Sequence, residues 1–360
     1  MARDQIRRVF VEHVRSGLSA RQLDKIGWAN GILMDTGKTR LLFDPTPSRP
    51  LPSEWNVFIT HAHSDHTYGF GTSARKYSTF ETLQIYQALR NRQVKNAQSL
   101  QIGESLVLGD AKITALNAGH MLGSCQFEVE TSKFTAIYTG DINCVDTLTT
   151  KAAVRRSCDY LIIEGTYGHP SYVFPRRNAM YADIVRWTMT EIKEGRIPTF
   201  QVYSSGKPQE VVRLFNVYTN IPVVCNPLIS NANEVYARNG VELEFLNSSN
   251  PDGKKALKAG SCVYVTTGHG DRLPSNVSRA VATGWAVRQA FRSYTAFPLS
   301  SHADFEQLLQ FVSQVNPRRV YIFTGYSDVL ASQIKNKLSI EAGPLPAITQ
   351  TKILDFSQET

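Results

Sequence analysis

The segment HAHSDH, His61 to His66, puts three imidazoles and a carboxylate into six positions of a chain with only eight histidines. Imidazole nitrogens and carboxylate oxygens are the usual ligands of zinc and related first-row cations, held at about 2.0–2.2 Å. His61 and His63 stand two apart and can grip one ion. Asp65 and His66 then point elsewhere and can serve a second. The cluster follows the apolar run WNVFIT, and a loop after a strand of a rigid scaffold is where catalytic groups concentrate. A lone histidine at a strand edge is usually structural. Three of them with an aspartate do not fit that explanation, because burying so many polar groups without partners costs several kcal/mol. The spacing predicts metal binding.

Other strand-like runs end in the same kind of residue. NAGHMLGS sets His120 after KITAL, IYTGDIN sets Asp141 beyond an apolar run, and RLLFDPTP does so with Asp44. Singly, each reads as a turn residue. Together they repeat one geometry, as expected of strands that converge on one site. In TFQVYSSGKPQEVVRLF a strand is followed by Ser204, Ser205, Gly206 and Lys207 and then by a helix. Amide groups at a helix start with a lysine beside them form an anion site. The alternative is an ordinary N-cap by Ser205.

The elements that must carry these residues follow from pattern. Up to about residue 170 the chain reads as short strands: GILMDTG, RLLFDP, WNVFIT, SLVLGD, KITALNAG, CQFEVET, FTAIYTGD and DYLIIEG, with one clear helix in FETLQIYQALRNR. Residues 178–195 read as a helix, TFQVYSS as a strand and KPQEVVRLFNVY as a helix; IPVVCNP and CVYVTTG read as strands around another helical stretch. That alternation predicts a mostly parallel α/β unit. After Pro298 come a helix (HADFEQLLQFVSQ), a strand (RRVYIFTG), a last helix and a terminal strand in TKILDF.

A chain of 360 residues suggests more than one structural unit. With 42% hydrophobic and 19% charged residues, disordered and fibrous classes are excluded. No apolar run approaches the roughly 18 residues of a membrane span. The opening MARDQIRRVFVEHVRSG lacks the apolar stretch of a secretion signal and reads as a short surface helix with Ile6, Phe10 and Val14 on one face. Five scattered cysteines without a CxxC pair point to reduced thiols, a cytoplasmic setting and no cysteine-bound zinc. A net charge of +8 and recurring basic doublets such as Arg155-Arg156 and Arg318-Arg319 favour a polyanionic partner, nucleic acid above all.

THAHSDH, AGHMLGS and TGDIN, in that order and spacing, resemble the signature of the metallo-β-lactamase superfamily. IIEGTYGHPSY resembles the acidic motif A of its β-CASP nucleases and FPLSSHADF their histidine motif B; VATGWAV and YSSGKPQEV are also similar to segments of that group. The resemblance runs from about Asp44 to Gly325. It implies an α/β fold, a four-layer αββα sandwich with an inserted α/β β-CASP cap: residues 1–170 and 299–360 in the sandwich, 171–298 in the cap.

The same resemblance implies that His61, His63, His120 and Asp141 hold a first metal, and that Asp65, His66 and Asp141 hold a second. Asp44 would fix a ligand imidazole from behind. Such a pair of ions makes a water nucleophilic near neutrality. His302 would protonate the leaving oxygen, with Glu164 setting its tautomer. Members acting on RNA carry a histidine after the strand that follows motif B. Here that strand reads RRVYIFTGYSD and Thr324 stands in its place, a poor ligand beside imidazole. The expectation is one firmly bound Zn2+ and a weak second site, with Mn2+ as an alternative ion.

The function expected is a metal-dependent nuclease, a 5′ exonuclease on single-stranded ends whose SSGKP pocket holds a 5′ phosphate. DNA-processing members lack the same histidine, and EGTYGHP and TGWA resemble the ligase-associated DNA exonucleases, which tilts the substrate from RNA toward DNA. Glu164 as motif A leans back to an RNA-processing nuclease of the messenger RNA 3′-end type, or a weakly active binding subunit of that type. A small-molecule hydrolase such as a thioesterase would leave Glu164, His302 and the basic surface unexplained.

Overall fold

The computed structural model describes residues 26–47, 51, 53–268, 275–288, 291 and 294–348. The opening helix around Ile6, Phe10 and Val14 and the terminal strand TKILDF lie outside these residues. Six strands form a first sheet in chain order: β1 (Ile26–Trp28), β2 (Ile32–Asp35), β3 (Arg40–Phe43), β4 (Asn56–Phe58), β5 (Arg75–Thr79) and β6 (Ala97–Leu100). The first three pair antiparallel and β3 to β6 pair parallel. Helix α1 (Phe80–Arg90) connects β5 to β6 and is capped by Thr79, whose side chain accepts the Thr82 amide.

The second sheet starts with β7 (Ser105–Leu108), β8 (Ala111–Asn117), β9 (Cys125–Glu130) and β10 (Thr135–Tyr138), all antiparallel, and β11 (Tyr160–Ile163), parallel to β10. The chain then leaves to build a separate parallel sheet. Its elements are α2 (Arg177–Lys193), β12 (Ile197–Gln201), α3 (Lys207–Tyr218), β13 (Val223–Cys225), α4 (Pro227–Arg238), β14 (Leu246–Asn247), α5 (Pro251–Ala259), β15 (Val263–Thr266), β16 (Val277–Ala282) and β17 (Thr295–Phe297), with strand order 14-13-15-12-16-17. It returns through α6 (Phe305–Val315), β18 (Arg319–Ile322), α7 (Ser327–Leu338) and β19 (Glu341–Pro344). β18 lies beside β11, and β19 forms the edge.

Side-chain alternation stacks the layers. Met34, Phe43, Phe58 and Tyr77 of the first sheet meet Ile113, Phe127, Tyr138 and Ile162 of the second. Leu161, Ile163, Val320 and Ile322 face the other way, onto Leu308, Phe311 and Val312 of α6 and Leu330 and Ile334 of α7. Tyr86 of α1 covers Val57 and Ile59 on the outer side of the first sheet. The result is the four-layer αββα sandwich with an α/β cap inserted between β11 and β18. The cap has its own core around Ile184, Phe200, Val211, Phe215 and Val265.

Seven strands, β1, β5, β6, β14, β16, β17 and β19, were not legible as such. β5 and β6 read RKYST and AQSL, too polar for the pattern. Lys76 nevertheless sits fully in the wall of the first sheet because its ammonium donates to the Lys95 carbonyl at 2.8 Å. β16 and β17 close the cap sheet at its edge. Among the described residues no helix is long and apolar enough to cross a membrane.

Candidate metal centre and cleft

Each candidate ligand stands just past the end of a strand. Asp44 follows β3, His61 to His66 follow β4, His120 follows β8, Asp141 follows β10 and Glu164 follows β11. Gly119 (φ +73°) and Gly140 (φ +52°) turn the chain immediately before His120 and Asp141. A Cβ on Gly119 would sit 2.6 Å from the Asn143 carbonyl, and one on Gly140 2.7 Å from the Thr60 side chain. Left-handed backbone without room for a side chain admits only glycine, so these turns fix where the ligands point.

One donor atom each from His61, His63, His120 and Asp141 lies within 4.8 Å of the other three. Asp141 Oδ2 is 3.5 Å from His61 Nε2 and 3.8 Å from His120 Nε2, which is 3.1 Å from His63 Nδ1. Tetrahedral ligands at about 2.0–2.2 Å from one ion stand roughly 3.3–3.6 Å apart, and the separations of 3.1, 3.5 and 3.8 Å bracket that spacing.

The remaining ring nitrogens are all engaged. Thr60 donates its hydroxyl to Asp44 Oδ2 at 2.6 Å, so it accepts from His61 Nδ1 at 3.0 Å. His63 Nε2 donates to the Ser205 carbonyl at 3.1 Å and His120 Nδ1 to the Ser301 carbonyl at 2.8 Å. Each bond fixes a tautomer and turns the opposite lone pair inward. His61 Nε2 is then buried with no hydrogen-bond partner among the described residues, a state buried polar atoms avoid. Burial and the neighbouring imidazoles hold His61 and His120 well below the usual histidine range, and burial brings His63 to about 4. All three are neutral, the form that ligates. The donor set fits a divalent cation.

Beside it, His66 Nδ1 donates to Asp44 Oδ2 at 2.8 Å, and its Nε2 faces Asp65 Oδ2 and Asp141 Oδ2, each at 3.7 Å. Burial lowers the His66 pKa, but Asp141 and Asp44 outweigh it and raise it to about 10. Asp44 also accepts the Thr60 amide at 2.8 Å and the Tyr138 hydroxyl at 2.9 Å. Asp65 is the outlier. Its side chain is 78% exposed, and it is not part of the four-donor cluster.

His302 approaches from the cap side. Its Nδ1 lies 3.0 and 2.9 Å from the two oxygens of the fully buried Glu164, and its Nε2 is 3.9 Å from Asp141 Oδ2. Burial lowers the His302 pKa, but Glu164 and Asp141 raise it overall. Glu164 is itself held by the Ile142 amide at 2.7 Å. The SSHAD sequence explains the turn. The His302 amide donates to Ser300 Oγ, and Asp304 then caps α6 in a box with Gln307, worth about 1 kcal/mol.

The SSGK segment lies across the cleft, with two differences from the sequence reading. Gly206, not Ser205, is the N-cap of α3, and its amide donates to Gln209 Oε1 at 2.7 Å. The helix start therefore offers fewer open amides than its sequence suggests, Pro208 having none. Lys207 is buried rather than presented, donating to the Leu299 carbonyl at 2.9 Å and to Ser301 Oγ at 3.2 Å. Burial lowers its pKa to about 8. Ser205 Oγ is buried without a hydrogen-bond partner among the described residues. Ser204, Ser205 and Lys207 line a cleft of about 1180 Å³ together with His63, Asp65, His66, His120, Asp141, His302 and Thr324.

Sequence reading missed the groups that aim the ligands: Thr60, Tyr138 and the carbonyls of Ser205 and Ser301. Thr60 and Tyr138 carry the one available signal, a polar group at the end of an apolar strand beside a ligand.

The family model described as Beta-lactamase superfamily domain matches residues 30–198. Similar proteins include the "Probable DNA ligase" of Opitutus terrae, 27% identical over 299 residues covering 78% of this chain and 28% of that protein. The "RNase J-like protein" of Methanocaldococcus jannaschii is 26% identical over 228 residues, 56% of this chain and 53% of that protein. The "5' exonuclease Apollo" of Gallus gallus is 24% identical over 310 residues, 83% of this chain and 65% of that protein. The chain thus spans between about a quarter and about a half of the first relatives it matches. A protein of unknown function from Enterococcus faecalis V583 shares the fold, with a TM-score of 0.63 and 14% identity over 89% of this chain and 97% of that one. Residues 30–198 thus match a metallo-β-lactamase superfamily domain, and the fold carries an α/β cap inserted between β11 and β18.

Proposed function

We propose that this protein is a metal-dependent nuclease, a 5′ exonuclease acting on single-stranded ends with DNA favoured over RNA, working in the cytoplasm. The observation that carries this reading is the His302–Glu164 pair facing the His61/His63/His120/Asp141 cluster in one cleft. A simple metal-binding module has no use for a second, carboxylate-oriented imidazole at 3.9 Å from its ligand. The proposed division is 1–170 and 299–360 for the sandwich and 171–298 for the cap.

His61, His63, His120 and Asp141 would hold Zn2+ or Mn2+, and Asp65, His66 and Asp141 a weaker second ion. Such cations polarise the phosphoryl oxygens and acidify a water. The protein's own groups do the rest. Asp44 holds His66 in one orientation, and Ser205 and Ser301 do the same for His63 and His120. His302 Nε2 points into the cleft and delivers a proton to the departing oxygen, while Glu164 on Nδ1 keeps that proton on the correct nitrogen. Ser205 Oγ, with Ser204 and the remaining N–H of Lys207, would receive a 5′ phosphate, Gly206 making the turn between them. Thr324, without an imidazole, leaves the second ion dependent on substrate oxygens.

The name of the Opitutus relative, a DNA ligase, and that of the Gallus relative, a 5′ exonuclease, support the DNA reading. A second reading, an RNA-processing nuclease, is supported by Glu164 in motif A and by relatives named RNase J-like protein and transcription termination factor. The deciding assay uses purified protein with Zn2+ or Mn2+ on end-labelled DNA and RNA strands bearing 5′ phosphate or 5′ hydroxyl. The expected result is stepwise loss from the 5′ phosphorylated DNA end. No cleavage of any strand with either metal overturns the nuclease reading.

A further inference from the structure

Tyr203 stands two residues past β12 with 71% of its surface exposed, the most exposed large aromatic side chain among the described residues. Two other half-exposed rings, Phe80 and Tyr218, lie outside the cleft; Tyr203 lines it. Its ring centroid is 5.9 Å from that of His63, tilted by 41°. The loop that carries it is tied to the cluster, because the Ser205 carbonyl accepts the His63 Nε2 proton. The cleft also contains the Tyr167 and Trp285 rings, 4.8 Å apart. An exposed aromatic face inside a cleft offers a planar ligand an offset-stacked or edge-to-face contact. Every nucleobase has such a face, and stacking on it needs no particular sequence.

We infer that Tyr203 is the platform on which the unpaired nucleobase next to the scissile phosphate stacks, which makes it a specificity-determining residue for single-stranded ends. The inference rests on the nuclease reading above. A base inside a duplex already has neighbours on both faces and a pairing partner, so it cannot reach the ring without being unstacked. The base is recognised by its face and the phosphate by the cluster, so the platform tolerates all four bases.

The test uses the full chain with a 5′-phosphorylated single strand carrying 2-aminopurine as its terminal base, and the same strand with an abasic site there. Stacking quenches the 2-aminopurine fluorescence on binding. The expected result is quenching by the parent protein and by Tyr203→Trp, and none by Tyr203→Ala. With metal, Tyr203→Ala should raise KM by about 5- to 100-fold, the parent should lose the same factor on the abasic strand, and the variant should lose nothing further there. Equal quenching and equal KM for parent and Tyr203→Ala overturn the platform. Binding with quenching but no cleavage overturns the nuclease reading and leaves the platform standing. Absence of binding overturns both.

Discussion

His63 Nε2 donates to the Ser205 carbonyl at 3.1 Å, so a candidate ligand carried by the first sheet is aimed by a loop of the cap. His120 is aimed in the same way by the Ser301 carbonyl, at the end of the cap's return to the sandwich. The cation cluster therefore sits on the seam of two structural units. Loosening that seam should loosen the centre, which separates this arrangement from a metal loop that stands alone.

Arg177 is the clearest rivet. Its guanidinium reaches Glu210 on α3 and the Ser300 carbonyl beside His302, and Tyr181 also donates to Glu210. Both partners are buried. Removing one member of a buried pair strands the other charge and costs about 3–5 kcal/mol, whereas replacing both with apolar residues is far milder. Arg177→Ala should lower the unfolding free energy measured in urea by that amount, and Arg177→Met with Glu210→Met by much less. Equal losses for single and double variants would refute the pairing.

Asp44 accepts four hydrogen bonds, one of them from His66. Asp44→Asn keeps the shape but cannot accept from all four donors. Partners of this kind are typically worth 10- to 100-fold in metal affinity. Competition with a fluorescent chelator measures it, and an unchanged affinity would show that Asp44 serves packing alone.

His302→Ala should slow cleavage of a natural phosphodiester by about 10²- to 10⁴-fold, the usual worth of a positioned general acid, with metal content unchanged. A substrate that expels p-nitrophenolate needs no proton and should be far less affected. Glu164→Gln should follow the same selectivity with a smaller loss. If His302→Ala emptied the metal site instead, His302 would be a ligand.

Thr324 lines the cleft just past β18. Thr324→His should increase bound metal per chain under limiting zinc, read by elemental analysis. Unchanged stoichiometry would show that this position does not reach the second ion.

Residue order points to the candidate site because the candidate ligands sit where apolar strands stop. HAHSDH, His120 and Asp141 each mark such an end, and the helix KPQEVVRLFNVY falls at Lys207–Tyr218, matching its pattern. What escaped was what depends on distant chain. The bonds from His63 to Ser205 and from His120 to Ser301 span 142 and 181 residues, and no local period reports them. β5 escaped because a buried lysine broke its apolar pattern, although a carbonyl satisfies its ammonium. The alternative reading, an N-cap by Ser205, follows the cap preference for serine, but Gly206 takes that position, its amide held by Gln209 Oε1.

Asp141 decides the central claim, since its Oδ2 lies 3.5 to 3.9 Å from His61, His66, His120 and His302. The direct measurement is metal bound per chain and single-strand cleavage rate, on the same preparation, for the parent protein and Asp141→Ala. The account predicts that the folded variant loses most of its metal and all detectable cleavage, and that the parent loses cleavage on chelation and regains it with added Zn2+ or Mn2+. A folded Asp141→Ala that keeps its metal and cuts at the parent rate would contradict it.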